Sequence, residues 1–276
     1  MVWSCYTRMI DFVHLICDYA VGDLAWAEIV SAVTAHLPAN VRMHLTSVRS
    51  FDTISTGFAL AQISLAPQKL RPNNLLVFAN TAPRKDRRDP KLNNEGEGLL
   101  YAKLKNGVSV VAVNSGFSFS FLRDEVAELW STNAEEEGSQ FRSRDFFPRI
   151  VGLACAGDLS FRENRLDPTV LIPKLLPNAV AYVDSFGNLK TTIRNGDPVV
   201  SPIASGTRVK IRIGNVIRTA TVATGSFNVM EGDLALAPGS SGHDKRYWEL
   251  FVRGGSAWHE FSQPSTGSKI VIDTTV

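Results

Sequence analysis

Four short apolar runs punctuate the first half of the chain: Phe12–Ile16, Val41–Thr46, Leu75–Ala79 and Val108–Val113. Each has the length of a buried strand, and their starts fall about thirty residues apart, the spacing of strand–helix–strand units. Between them, Leu24–Leu37 carries apolar residues at helical spacing and stops before Pro38, and Thr53–Leu65 stops before Pro67. Phe119–Trp130 and Phe146–Ala156 read as two later helices. This alternation predicts an α/β N-terminal domain built on a mostly parallel sheet.

The pattern changes after Asp158. Pro168, Pro173 and Pro177 mark a connecting segment, and short alternating runs follow it. Arg208–Ile213 and Val216–Ala223 flank Gly214-Asn215, a two-residue hairpin signal. Asp233–Ala237, Tyr247–Val252 and Lys269–Val276 are further strands. The expected organisation is therefore residues 1–160 as the α/β domain, 161–178 as a Pro-rich connection, and 179–276 as a small all-β barrel-like domain.

Composition narrows the class without naming a function. With 44% hydrophobic residues the chain has ample core material, and a net charge of +2 argues against a protein that mainly coats nucleic acid. No apolar run reaches the length of a membrane span. Cys5, Cys17 and Cys155 are few and scattered, which points to a reducing, cytoplasmic setting and to neither disulfides nor a zinc knuckle. The five histidines show no metal-ligand spacing, so no metal is expected.

In parallel α/β sheets ligands sit beyond the carboxyl ends of strands. Those ends are polar here: Asp18 and Asp23 follow the first run, Phe51-Asp52 the second, Asn80 and a basic segment through Arg88 the third, and Asn114-Ser-Gly116 the fourth. Asp89–Gly98 and Glu135–Gly138 read as surface loops. In the second half, Val183-Asp-Ser-Phe-Gly-Asn188 lies between two β-prone runs and places a carboxylate, a phenyl ring, a glycine and an amide together. These groups suit an aromatic base carrying a polar substituent. They equally suit a hairpin in which Asp184 and Asn188 satisfy their own backbone.

Taken in order, these fragments resemble the S-adenosylmethionine hydroxide adenosyltransferase family, which includes fluorinases and chlorinases. Asp184-Ser-Phe-Gly-Asn-Leu-Lys-Thr-Thr-Ile193 resembles the family's D-x-F-G-N-x-x-T-N-I. Cys17-Asp18 with Asp23 resembles T-D-F-G-x-x-D, and Arg144-Asp145 lies in a match to F-H-G-R-D-x-F. Gly239-Ser-Ser-Gly242, Trp248-Glu-Leu250 and Gly255-Ser-Ala257 resemble N-S-x-G-x-L-E followed by G-x-A. The resemblance implies a homotrimer with the small-molecule substrate between one subunit's first domain and a neighbour's second. It implies no cofactor and no metal, while the low net charge and the lack of a long apolar run point to no nucleic-acid and no membrane partner.

The resemblance also implies roles. Asp18 would hold the ribose diol, and Asp23, Asp184 and Ser240 would face the methionine amino group. Asn188 would read the adenine edge, with Phe51, Phe186 and Phe227 against the nucleoside and Asn114 lining the site. The hydrolases' Asp–Arg–His set aligns with Asn80, Arg87 and Arg142, so two of its three groups are changed. An amide takes no proton and an arginine stays charged. Three readings follow: hydrolytic cleavage at ribose C5′, binding with altered or lost catalysis, and halogenation, the last because Ser143 stands where halogenating members carry serine.

Overall fold

The computed structural model describes residues 9–82, 97–134 and 139–274, and divides into two units, residues 1–174 and 175–276. In the first unit, strands β1 (Phe12–Cys17), β2 (Arg42–Ser47), β3 (Leu75–Asn80), β4 (Leu99–Leu104), β5 (Ser109–Val113), β6 (Val126–Thr132) and β7 (Arg162–Leu166) form one sheet in the order β2-β1-β3-β5-β4-β6-β7. The first four in that order run parallel, and β4, β6 and β7 add on antiparallel. The sheet is thus mixed, with its parallel half at the apolar runs of the sequence.

Helix α1 (Leu24–His36) carries the chain from β1 out to β2, and α2 (Thr53–Ser64) carries it back past β1 to β3. Right-handed crossovers in opposite directions put the two helices on opposite faces of the sheet. On the α1 face, Trp26, Ile29 and Val33 join Val13, Leu15, Leu76, Phe78 and the helix α4 (Phe147–Ala156) residues Ile150 and Val151 in one core. Both crossover helices start at an aspartate cap: the Asp23 side chain accepts from the Ala25 N–H at 2.9 Å, and Asp52 from the Ser55 N–H at 2.9 Å. Gly157 ends α4 in the left-handed conformation at φ +78°.

The expected helix over Phe119–Trp130 is corrected. A 3-10 turn covers Ser120–Leu122, and Val126–Thr132 is β6, paired with β4 and β7. β-Branched Val126 and Thr132 are buried while Ala127 faces solvent, an irregular burial pattern that mimics helical spacing. A single-turn helix α3 (Arg142–Asp145) precedes α4, and another, α5 (Pro168–Leu171), follows β7.

In the second unit, β8 (Val180–Val183), β9 (Leu189–Arg194), β10 (Arg208–Ile213), β11 (Val216–Val222), β12 (Leu234–Pro238), β13 (Tyr247–Val252) and β14 (Ile270–Asp273) form a sheet ordered β14-β10-β11-β12-β13-β9-β8. Every neighbouring pair is antiparallel except β11 and β12. An isolated bridge between Ala179 and Lys269, with the Val180 N–H donating to the Ser268 carbonyl at 3.0 Å, links the two ends of the order and makes the sheet barrel-like. Leu189, Ile193, Val209, Ile211, Leu236, Leu250 and Phe261 fill its interior. The one-turn helix α6 (Ala257–Glu260) lies before β14.

Candidate active site

In the first unit the crossovers reverse direction between β1 and β3, where an open α/β sheet leaves a crevice at its carboxyl edge. Strand register puts Cys17 beside Asn80, and the Asp18 N–H donates to the Asn80 carbonyl at 3.2 Å. Asp18 is buried, and its Oδ2 accepts from the Phe51 N–H at 2.9 Å and the Ala82 N–H at 3.1 Å. One carboxylate thereby ties together the segments that follow β1, β2 and β3. Phe51 sits at φ +63°, a left-handed conformation costly for a residue with a Cβ, and the Asp18 contact helps hold it there.

Tyr19 lies at the centre of a second set of contacts. Its hydroxyl accepts from Asn80 Nδ2 at 2.9 Å and lies 2.8 Å from Ser143 Oγ. Its ring meets Trp26 and Phe141 edge to face, with centroids 5.7 and 6.0 Å away. Trp26 Nε1 donates to the Tyr19 carbonyl and to Ser47 Oγ, which fixes the backbone behind the ring. Burial raises the Tyr19 phenol above its ordinary range, with electrostatic coupling to Cys17 adding to it, against the Ser143 hydrogen bond, which acts the other way. Burial also pushes the Cys17 thiol well up. Asn80 and Ser143 are both buried, at 7% and 5% exposure, so this polar cluster is shielded from bulk water.

Ser143 reaches Tyr19 because α3 is anchored on both sides. Arg144 pairs with Glu28 of α1 at 2.8 Å and with Asp145 at 2.7 Å, and its guanidinium lies 4.9 Å from the Phe141 ring centroid. These ion pairs are half exposed, so they orient the turn more than they stabilise it. Arg142 donates to the Glu97 carbonyl at 3.2 Å and stacks 5.7 Å over Phe147. Asp23 is exposed and serves as the α1 cap, while Asn114 is half buried at the end of β5. Arg87 lies outside the described residues. Asp18, Phe51, Asn80 and Ser143 are thus gathered around Tyr19 and its backbone, a residue that sequence reasoning passed over. Its place directly after Asp18 at a strand's carboxyl end was the available signal.

In the second unit, Asp184 closes the β8–β9 turn. Its Oδ1 accepts from the N–H groups of Phe186 and Asn188, each at 3.0 Å, and its Oδ2 from Asn188 Nδ2 at 3.0 Å. Lys190 Nζ lies 3.3 Å from the same Oδ2 and makes a second, short ion pair with Glu249. A carboxylate offers about four acceptor sites. Four donors already occupy Asp184, so a ligand reaching it must displace one of them. Gly187, at φ +79°, has no room for a side chain: a Cβ there would lie 2.0 Å from Ser256 Oγ.

Glu249 also presses on Gly239, where a Cβ would lie 2.7 Å from Glu249 Oε2. Lys190 and Glu249 therefore couple the 184–188 turn to the 239–242 loop that carries exposed Ser240. Phe186 and Phe227 are 75% and 85% exposed, and the Arg253 guanidinium lies 5.5 Å from the Phe227 centroid. Among the described residues, no group of three or more His, Cys, Asp or Glu side chains is placed to hold a metal ion. Among the same residues, no helix is long and apolar enough to cross a membrane.

Comparison with known proteins bears on both units. An uncharacterized conserved protein from Thermotoga maritima superposes with a TM-score of 0.73 at 20% identity, covering 94% of this chain and 99% of that one. A conserved hypothetical protein from Thermus thermophilus gives a TM-score of 0.68 at 17% identity, covering 95% and 100%. At such identities these structures show a shared fold. No curated protein matches the chain. Residues 178–267 match the family described as "SAM hydroxide adenosyltransferase C-terminal domain", where SAM is S-adenosylmethionine. The second unit thus resembles that family's C-terminal domain over about a third of the chain, and the first unit is matched by the shared fold alone.

Proposed function

We propose that this protein binds S-adenosylmethionine and cleaves it by attack of water or hydroxide at ribose C5′, giving adenosine and L-methionine. The observation that carries this reading is the family match over residues 178–267. In the reaction a C5′–O bond forms as the C5′–S bond breaks. The bonding pair goes to the sulfonium sulfur, which leaves as neutral thioether, and the attacking water's proton passes to solvent. The sulfonium is already a good leaving group, so the protein need supply no acid. Its work is to align the nucleophile and keep bulk water out.

In this reading Asp18, held by two backbone N–H groups, faces the ribose diol, and Asn80 and Ser143 orient the nucleophile, with Arg142 and Arg87 supplying positive charge. Asp23, Asp184 and Ser240 meet the methionine amino group, Asn188 the adenine edge, and Phe51, Phe186, Phe227 and Asn114 the nucleoside. The exposed rings of Phe186 and Phe227 can take a flat apolar partner. The reading includes a homotrimer, which light scattering of the purified protein tests.

A second reading, binding without cleavage, is favoured by one observation. The trio of buried Asn80 and Ser143 with half-buried Tyr19 contains no group that accepts a proton near neutrality. One experiment separates the readings: incubation with S-adenosylmethionine, with and without halide, followed by chromatography of nucleosides and methionine. Adenosine above the buffer blank supports hydrolysis, and 5′-halo-adenosine would mean halogenation. Saturable binding with no product leaves binding alone.

A further inference from the structure

We infer that Tyr19 is the positioning residue of the reaction centre, fixing which of its neighbours donate hydrogen bonds and which accept them. The inference rests on the cleavage reading above and adds to it a residue with no assigned role. Asn80 Nδ2 can only donate, so the Tyr19 oxygen accepts at that contact. The Tyr19 and Ser143 hydroxyls carry two hydrogens between them, and one of these fills the 2.8 Å contact that joins them. One hydroxyl hydrogen is therefore left to point outward. With the phenol directed at Ser143, that hydrogen belongs to Ser143; with Ser143 directed at the phenol, it belongs to Tyr19.

The cluster is donor-rich by this count. It offers N–H and O–H hydrogens to an incoming nucleophile, and none of its three side chains is a carboxylate or imidazole that could take a proton from it. Such a set suits an oxygen or anion bearing lone pairs, held in place by hydrogen bonds and not deprotonated by a base. Remove the phenolic oxygen and the Asn80 amide loses its partner, while Ser143 is free to rotate. The aromatic contacts to Trp26 and Phe141 use the ring alone and survive in phenylalanine.

Tyr19→Phe in the full-length protein tests this. The expected result is a fall in kcat of about tenfold to a hundredfold, the size of effect that follows a small misplacement of reacting groups. KM and the calorimetric Kd for S-adenosylmethionine should stay within about twofold, and Tm within about 3 °C. Ser143→Ala should give a similar fall, and Tyr19→Phe with Ser143→Ala should fall little further, because the two act as one unit. An unchanged kcat, or a kcat loss that comes with lost affinity or lost Tm, overturns the inference.

A second readout does not depend on turnover. In the wild-type protein the Asn80 side-chain amide protons should exchange slowly by NMR, and in Tyr19→Phe rapidly. If the wild type binds S-adenosylmethionine but never cleaves it, the cleavage reading falls and this exchange measurement decides the positioning role. Persistent slow exchange in Tyr19→Phe would then refute it.

Discussion

Replacing Asp184 by alanine asks whether the turn's carboxylate works for the fold or for a ligand. Its four donors are two backbone N–H groups, the Asn188 amide and the Lys190 ammonium, all within 3.3 Å. A hydrogen bond to a charged group is worth roughly 1.5–3 kcal/mol net. Phe186 is exposed and its N–H can turn to water, and the Asp184 side chain is itself 21% exposed, so two of the four contacts are discounted. Lys190 keeps Glu249 and is not left as a lone buried charge. Two contacts at the lower end of that range sum to about 3 kcal/mol, which lowers the melting of a unit this size by roughly 12–24 °C. Calorimetry of the ligand-free protein reads this directly on the transition that carries the second unit. Asp184→Asn is the control: it keeps an acceptor for the backbone but sets amide hydrogens against Asn188 and Lys190, so it should also destabilise. A loss below about 1 kcal/mol would refute the reasoning, since the turn would then hold without its carboxylate and Asp184 would serve the ligand alone.

Asp18→Ala should weaken S-adenosylmethionine binding by about tenfold or more, through loss of a charged acceptor, and unchanged calorimetric affinity would move the site elsewhere. Asn80→Asp combined with Arg142→His rebuilds the aligned hydrolytic groups and should raise adenosine release in the chromatographic assay. With an acceptor at position 80 the Tyr19 phenol must donate to it, so absence of any gain would show that the hydrogen-bond polarity around Ser143 does not accommodate a base. His14, paired with Thr46 Oγ1 at 2.7 Å, has its imidazole pushed down to about 4, by burial first and then by the facing His44. The unfolded chain, with a pKa of about 6.5, therefore binds the proton more readily. Stability is full above that value and is lost as pH falls from about 6.5 toward about 4. His14→Gln should flatten that part of the urea-midpoint profile, and parallel wild-type and variant profiles would refute the assignment.

Much of the parallel half of the first sheet could be read in the chain, because its central strands β3 and β5 are continuous apolar runs buried on both faces. β3 is buried at every position, and α1 and α2 end where prolines forbid continuation. The antiparallel half was harder. Leu99–Leu104 follows a stretch rich in Asn, Glu and Gly and is interrupted by Lys103, and Arg162–Leu166 is polar throughout except for its last residue. That last segment becomes a strand through its pairing with β6 at the sheet edge, not through any pattern of its own. The meeting of Asp18 with Asn80 follows from reading strand ends. The central place of Tyr19 does not, because an aromatic beside an apolar run looks like core until a partner from α3, more than a hundred positions later, supplies the second hydroxyl. Lys190 was hidden for a related reason: at a strand position it reads as a solvated charge, and only pairing of β9 with β13 brings Glu249 to it.

The bridge between Ala179 and Lys269 has a consequence for how the second unit is made. It joins the residue just before the strand that enters the sheet first to the residue just before the strand that enters last. Contacts this distant along the chain require a large loop to close before they return any energy, so they form late and slow the folding of the whole unit. Until the final strand has arrived, β8 and β10 both offer unpaired edges to other nascent chains. Yield from overproduction should therefore depend on temperature and on the rate of synthesis more steeply than the finished molecule's melting point suggests.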